Sequence, residues 1–242
     1  MRNIRLTVEY DGTDFAGWQR QNGRIATVQG EIEDVLRKIL QEPVSLSAAG
    51  RTDRGVHARA QIANFSTASS MELSRMVHSL NSMLPGTIRV SDPLEVPGDF
   101  HARFSAKERE YRYFLIEYPS AIYGRFSGCS NGKVNLEIMG EIASAIEGVH
   151  DFTAFSRPDR DNEGRICTVS LCSWRPLNSS LVLQITANRF LRSMVRYLVA
   201  AMISAGKGLL SPAEFRKMLE AGVFTGSLKP ALPNGLFLWE IT

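Results

Sequence analysis

The sequence predicts an α+β protein made of two βαββαβ halves packed side by side, with mostly antiparallel sheets. Three observations carry that reading. Short runs alternate apolar and polar residues, the runs between them repeat apolar residues at helical spacing, and the order strand, helix, strand, strand, helix, strand occurs twice. With 242 residues, 44% hydrophobic and 22% charged, the chain can bury a core in each of two units of ordinary size. The expected halves are residues 1–105 and 106–242.

Ile4, Leu6, Val8 and Tyr10 alternate with polar neighbours, the period of a half-buried strand. Val28, Ile32, Val35, Leu36, Ile39 and Leu40 recur at helical spacing behind Thr27, which can cap the helix. Val44–Ala49 and Ala58–Ser66 follow as strands. Leu73, Met76, Val77, Leu80 and Leu84 mark a second helix, ended by Pro85-Gly86, and Thr87–Val96 returns as a strand. In the second half Glu108–Glu117 reads as a strand, and Leu136, Met139, Ile142, Ala143 and Ile146 define a helix. Arg165–Trp174 and Ser180–Ala187 form a strand pair, and Phe190–Ala205 a helix with a broad apolar face. Ser211-Pro212-Ala213-Glu214 opens one more helix, with Ser as cap, Pro in first place and Glu reaching back. Gly235–Thr242 closes as a strand. Helices on one face of each sheet leave the other face open, as in ferredoxin-like and RNA-recognition modules. Two such faces side by side make one central cleft.

A net charge of +3 and a pI near 8.8 permit a nucleic-acid partner without demanding one, so the placement of the basic residues decides. Cys129, Cys167 and Cys172 lack any CxxC spacing, which argues against a disulfide framework or a cysteine zinc site and for a reducing cytoplasm. No apolar signal-peptide core opens the chain, and the longest apolar run, Leu198–Ile203, is too short for a bilayer. A soluble cytoplasmic protein is expected.

The densest chemistry lies in Gly50–Arg59, "GRTDRGVHAR", which places Arg51, Arg54, Arg59, Asp53 and His57 between two apolar runs. In an extended chain Arg51 and Asp53 point to the same side. A guanidinium there favours the ionised acid, which suits a nucleophile or base and not a general acid. Composition alone leaves three readings of Asp53 open: a turn cap among solvated arginines, a catalytic carboxylate, or a metal ligand with only His57 nearby. Arg103, Lys107, Arg109 and Arg112 cluster at the entry to the second half. Arg189, Arg192 and Arg196 follow in "ANRFLRSMVRY", the last two one helical turn apart, where a phosphate or carboxylate can be met.

"GRTDRGVHA" (Gly50–Ala58) resembles the active-site motif of the TruA family of tRNA pseudouridine synthases, usually GRTDAGVHA. The resemblance runs almost the full chain, through "YDGTDFAGWQRQ" (Tyr10–Gln21), "TVQGEIE" (Thr27–Glu33), "FHARFSAKEREYRY" (Phe100–Tyr113), "FLRSMVRY" (Phe190–Tyr197) and "ALPNGLFLWEI" (Ala231–Ile241). It implies that Asp53 is the essential carboxylate, attacking ribose or base or removing a ribose proton of the target uridine. Tyr111 would stack on the base and take the carbon-five proton, Leu236 would pack on that base, and Arg196, ahead of Arg51, would pair with Asp53. Arg51, Arg54, His57, Arg109 and Arg192 complete the expected substrate contacts. The resemblance further implies a homodimer acting on the anticodon arm of tRNA, the two open sheet faces forming an RNA-binding cleft, with no metal, nucleotide or redox cofactor. Two residues depart from the family pattern: Arg54 stands where alanine is usual, and Tyr197 where asparagine is common. The competing reading is a non-catalytic RNA-binding protein, which would have no use for a carboxylate facing a polyanion.

Overall fold

The computed structural model describes residues 1–23, 25–158, 164–223 and 228–242. The chain runs β1 (Arg2–Tyr10), α1 (Val28–Leu40), β2 (Ser47–Ala48), β3 (His57–Thr67), α2 (Leu73–Met83), β4 (Ile88–Val96) and α3 (Ala102–Ser105). It continues through β5 (Arg109–Ile116), β6 (Gly128–Cys129), α4 (Leu136–Ile146), β7 (Gly148–Asp151), β8 (Ile166–Leu177), β9 (Ser180–Ala187), α5 (Met194–Gly206), α6 (Pro212–Ala221) and β10 (Leu236–Ile241). Two compact units result: Met1–Lys107 with Phe237–Thr242, and Glu108–Leu236. Each is a mixed α/β body with a mostly antiparallel sheet.

In the first unit the strand order is β4-β1-β3-β10. β1 pairs antiparallel with both neighbours, and β10 joins β3 in parallel at Phe237↔His57. The two-residue β2 takes another stretch of the same β3, at Ser47↔Asn64. Period two sends Ile4, Leu6 and Val8 to one face, where they are fully buried along with Val28, Ile32, Leu36, Met76 and Leu80 of the two long helices. Thr27 caps α1 as expected, its Oγ1 accepting from Gly30 N at 3.2 Å.

The strand expected over Val44–Ala49 shrinks to β2 for a reason visible in α1. Leu46 N donates to Glu33 Oε1 at 2.9 Å, and Gln29 Nε2 donates to Leu46 O at 3.1 Å. Helix side chains thus satisfy backbone groups that would otherwise have needed a ladder. Val44 and Leu46 are still buried, so the apolar pattern reported burial correctly and pairing incorrectly.

The second unit orders its strands β5-β9-β8-β7, with β6 parallel to β5 at Leu115↔Gly128. The β8–β9 hairpin turns at Leu177↔Ser180. α6 carries the full capping box: Ser211 Oγ accepts from Glu214 N at 3.2 Å, and Glu214 Oε2 accepts from Ser211 N at 2.8 Å. α5 begins four residues later than the apolar pattern implies, at Met194 rather than Phe190. Ser193 takes a left-handed φ of 59°, and a turn from Leu191 O to Met194 N precedes the helix. Arg192 therefore lies outside α5, and the expected placement of Arg192 and Arg196 one helical turn apart does not hold. Among the described residues no helix is long and apolar enough to cross a membrane.

Candidate active site

Asp53 opens a tight turn. Its carbonyl accepts from Val56 N at 3.1 Å, and Gly55 has φ +77° while Arg54 does not have a positive φ. That is the type II pattern, whose third position only glycine adopts without strain. The glycine of the motif is thus a backbone requirement.

The turn rests on the segment that follows β1. Thr52 is held twice: Tyr10 Oη lies 2.7 Å from Thr52 Oγ1, and Trp18 N donates to Thr52 O at 3.2 Å. Gly55 N reaches Phe15 O at 3.4 Å. Gln61 fixes the upstream end, its Nε2 donating to Gly50 O at 2.6 Å and its Oε1 accepting from Gly50 N at 3.3 Å. Two glycines make the approach possible. A Cβ on Gly12 would stand 2.0 Å from Val56 O, and one on Gly17 would stand 2.6 Å from Thr52 O. In the sequence these are the two glycines of "YDGTDFAGWQRQ", and their place between a strand and a helix is the only local sign of the close approach.

The Tyr10–Thr52 bond joins side chains 3% and 7% exposed. Tyr10→Phe leaves the Thr52 hydroxyl buried without that partner. We expect it to cost about 1–3 kcal/mol, read as a lower urea midpoint with an unchanged slope.

His57 is expected among the substrate contacts, but its side chain is 1% exposed and faces inward. Its ring stacks on Phe237 with centroids 4.6 Å apart, and Nδ1 lies 3.0 Å from Gly12 N and 3.1 Å from Asp11 Oδ1. A bare Nδ1 accepts from the Gly12 amide; a protonated one donates to Asp11. Either way His57 ties the start of β3 to the loop beneath the Asp53 turn. Asp53 itself is partly exposed, and Arg51 and Arg54 are exposed on either side of it. Arg59, also exposed, holds its guanidinium 5.0 Å from the centre of the Trp239 ring.

Tyr111, Arg109, Arg192, Arg196 and Leu236 belong to the second unit. Tyr111 projects from β5 opposite Ile185, is 8% exposed, and meets the Phe190 ring edge-on at 5.1 Å. Tyr113, two residues on, has a different part. It is 1% exposed and donates its hydroxyl to Leu232 O at 3.1 Å. Burial pushes its phenol well above the ordinary value, against the opposing pull of Arg196, so it stays a neutral donor.

The segment leading to Leu236 is clamped from several sides. Arg196 Nε donates to Ala231 O at 2.8 Å while Ala231 N donates to Arg196 O at 3.0 Å. Asn234 Nδ2 bridges Gly124 O at 2.6 Å and Ser127 O at 2.8 Å. Gly235 lies so close to the backbone that a Cβ would be 2.5 Å from Gly128 N and 2.7 Å from Phe114 O. Leu236 follows, 4% exposed. Arg109 is buried and donates to Asn188 O at 2.7 Å, whereas Arg192 is exposed.

Comparison with known proteins agrees with these motifs. A family model described as tRNA pseudouridine synthase matches residues 6–105 and 142–242. A protein of Pelodictyon phaeoclathratiforme named tRNA pseudouridine synthase A is 69% identical over 241 residues, spanning 100% of this chain and 99% of its own. Proteins of the same name from Chlorobium phaeobacteroides and Chlorobium limicola are 62% and 57% identical over 242 residues, again across 100% of this chain and 94% and 100% of theirs. The chain belongs to the TruA family of tRNA pseudouridine synthases, isomerases that turn uridine in tRNA into pseudouridine.

Proposed function

We propose that the enzyme acts on uridines of the tRNA anticodon arm, with Asp53 as the essential carboxylate and Arg196 as its basic partner. The observation that carries this reading is the Asp53 turn, held at Thr52, Gly55 and Val56 by the segment around Gly12 and Gly17. Such bracing holds a reacting group within the small tolerance that chemistry demands.

The reaction breaks the bond between ribose C1′ and uracil N1, turns the base, and joins C1′ to C5. The C5 proton leaves and N1 ends protonated, so atoms and charge balance with no external reactant. Attack by the carboxylate and removal of a ribose proton both begin from ionised Asp53. Tyr111 supplies an aromatic face for the extruded base, offsetting stacking lost from the RNA, and its hydroxyl receives the C5 proton. Leu236 gives the base an apolar wall that keeps water from the detached state. Arg51, Arg54, Arg109 and Arg192 contact the RNA, chiefly phosphates, which position without reading sequence.

The reading extends to architecture: two ferredoxin-like halves offering a central RNA-binding cleft, in a homodimer working in the cytoplasm. In the first unit the order β4-β1-β3, with β2 also on β3, supports the ferredoxin-like description.

Mapping pseudouridine in bulk tRNA before and after incubation with the purified protein tests the substrate assignment. New sites confined to the anticodon arm are expected; sites only in other arms would overturn it. Tyr111→Phe separates the two parts given to that residue. We expect turnover to fall roughly 100-fold or more with tRNA affinity unchanged, since the ring remains and the hydroxyl is lost. Full activity would leave Tyr111 only its stacking part.

A further inference from the structure

The block "FHARFSAK" brings aromatic and basic side chains together on a short turn that the proposed chemistry leaves unused. α3 is tightly wound. Phe104 N and Ser105 N donate to His101 O at 3.0 and 2.8 Å, His101 Nδ1 accepts from Arg103 N at 3.1 Å, and Ser105 Oγ accepts from His101 N at 3.2 Å.

Two buried asparagines pin this turn to the sheet. Asn3 of β1, 6% exposed, donates Nδ2 to Pro97 O at 3.0 Å and to Phe100 O at 2.9 Å. Asn64 of β3, 7% exposed, donates to Asn3 Oδ1 at 2.9 Å and accepts from Ala102 N at 2.9 Å. Buried amides cost free energy unless their groups are bonded. Here the bonds run between the two amides and out to the backbone that carries α3.

What the turn displays is Phe104, 74% exposed. A lone exposed apolar side chain is ordinary. This one stands on a pinned support, with the His101 ring 4.6 Å away and the Arg103 guanidinium 5.6 Å from its centroid. Between residues 97 and 107 the sequence holds Arg103, Lys107 and His101 against a single acid, Asp99. An aromatic face among cations fits a nucleobase on a polyanion better than an apolar protein surface.

We propose that Phe104, flanked by His101 and Arg103, is a stacking site for an unpaired nucleobase of the bound tRNA. A paired base offers no free face, so the ligand is a loop or splayed nucleotide. The inference rests on tRNA being the substrate and not on the roles given to Asp53, Tyr111 or Arg196.

Two variants test it at fixed salt, using an unmodified tRNA transcript as the probe. Phe104→Ala is expected to weaken tRNA binding about tenfold, while an unchanged Tm confirms that this exposed side chain does not support the fold. Phe104→Trp is expected to retain wild-type affinity and to show tRNA-dependent quenching of tryptophan fluorescence beyond that of the wild type, whose three tryptophans set the baseline. Both results are required. Wild-type affinity in the Ala variant, or no added quenching in the Trp variant, overturns the proposal. So does a change of oligomeric state in Phe104→Ala on sedimentation without RNA, which would make the site a contact between copies of the chain. Loss of turnover in Asp53→Asn speaks only to the catalytic reading, so the two can fail separately.

Discussion

Asp53→Asn is expected to lower pseudouridine formation roughly 10⁴-fold or more while changing tRNA affinity by less than about threefold. The amide matches the carboxylate in shape but is neither nucleophile nor base. The turn should survive the change, because its closing bond is made by the Asp53 carbonyl and the Val56 amide. The neighbouring holds, at Thr52 from Tyr10 and Trp18, do not involve the Asp53 side chain either. Removing a negative charge from a surface that meets RNA does not weaken phosphate contacts. Single-turnover conversion and filter binding on the same tRNA, at the same salt, separate the two quantities. Turnover within tenfold of wild type would end the assignment of Asp53.

Gly12→Ala should have the next largest effect, through the backbone and without touching any reacting group. The new Cβ would stand 2.0 Å from Val56 O and 2.7 Å from Val56 C, and both atoms are main chain. No rotamer relieves a Cβ, so one segment must move by the order of 1 Å. Val56 closes the Asp53 turn, and the displacement therefore passes to the carboxylate. A shift of that size is expected to cut kcat about 100-fold, and the overpacking to lower Tm by about 5 °C. Gly86→Ala is the control: nothing lies within 4 Å of its Cβ position, and both kcat and Tm should stay at wild-type values. If Gly12→Ala matches wild type in single-turnover rate, the bracing of Asp53 by this segment is not what sets the rate.

Several features were legible because they are written locally. The caps at Thr27 and Ser211 need only residues within a turn of each other, and both form as expected. The alternation of Ile4, Leu6 and Val8 names a buried face whatever lies against it. The motif around Asp53 announced a family because its residue types occur together in order.

What escaped the sequence depended on neighbours distant along the chain. Val44 and Leu46 read as strand because burial and pairing leave the same apolar trace, and only the Glu33 and Gln29 side chains show where the backbone bonds go. Phe190–Ser193 reads as helix because those side chains suit one, yet Ser193 is left-handed and α5 begins after it. His57 reads as a substrate contact beside Asp53, and only the tertiary structure places its ring between Gly12 and Phe237, near the two ends of the chain. Tyr111 and Tyr113 are equivalent in a motif, and become a reactive candidate and a neutral strut only through what surrounds each ring. Sequence alone established the family, the order β1 to β4 of the first half, the helix starts marked by caps and the carboxylate to suspect, because each depends on residue type and local spacing; it missed α3, β6 and β7 and assigned β10 to the wrong half. Tertiary structure alone decided which glycines must be bare, which tyrosine is a strut, and that two buried asparagines display Phe104, because close approach and burial are set by atoms far away in the chain.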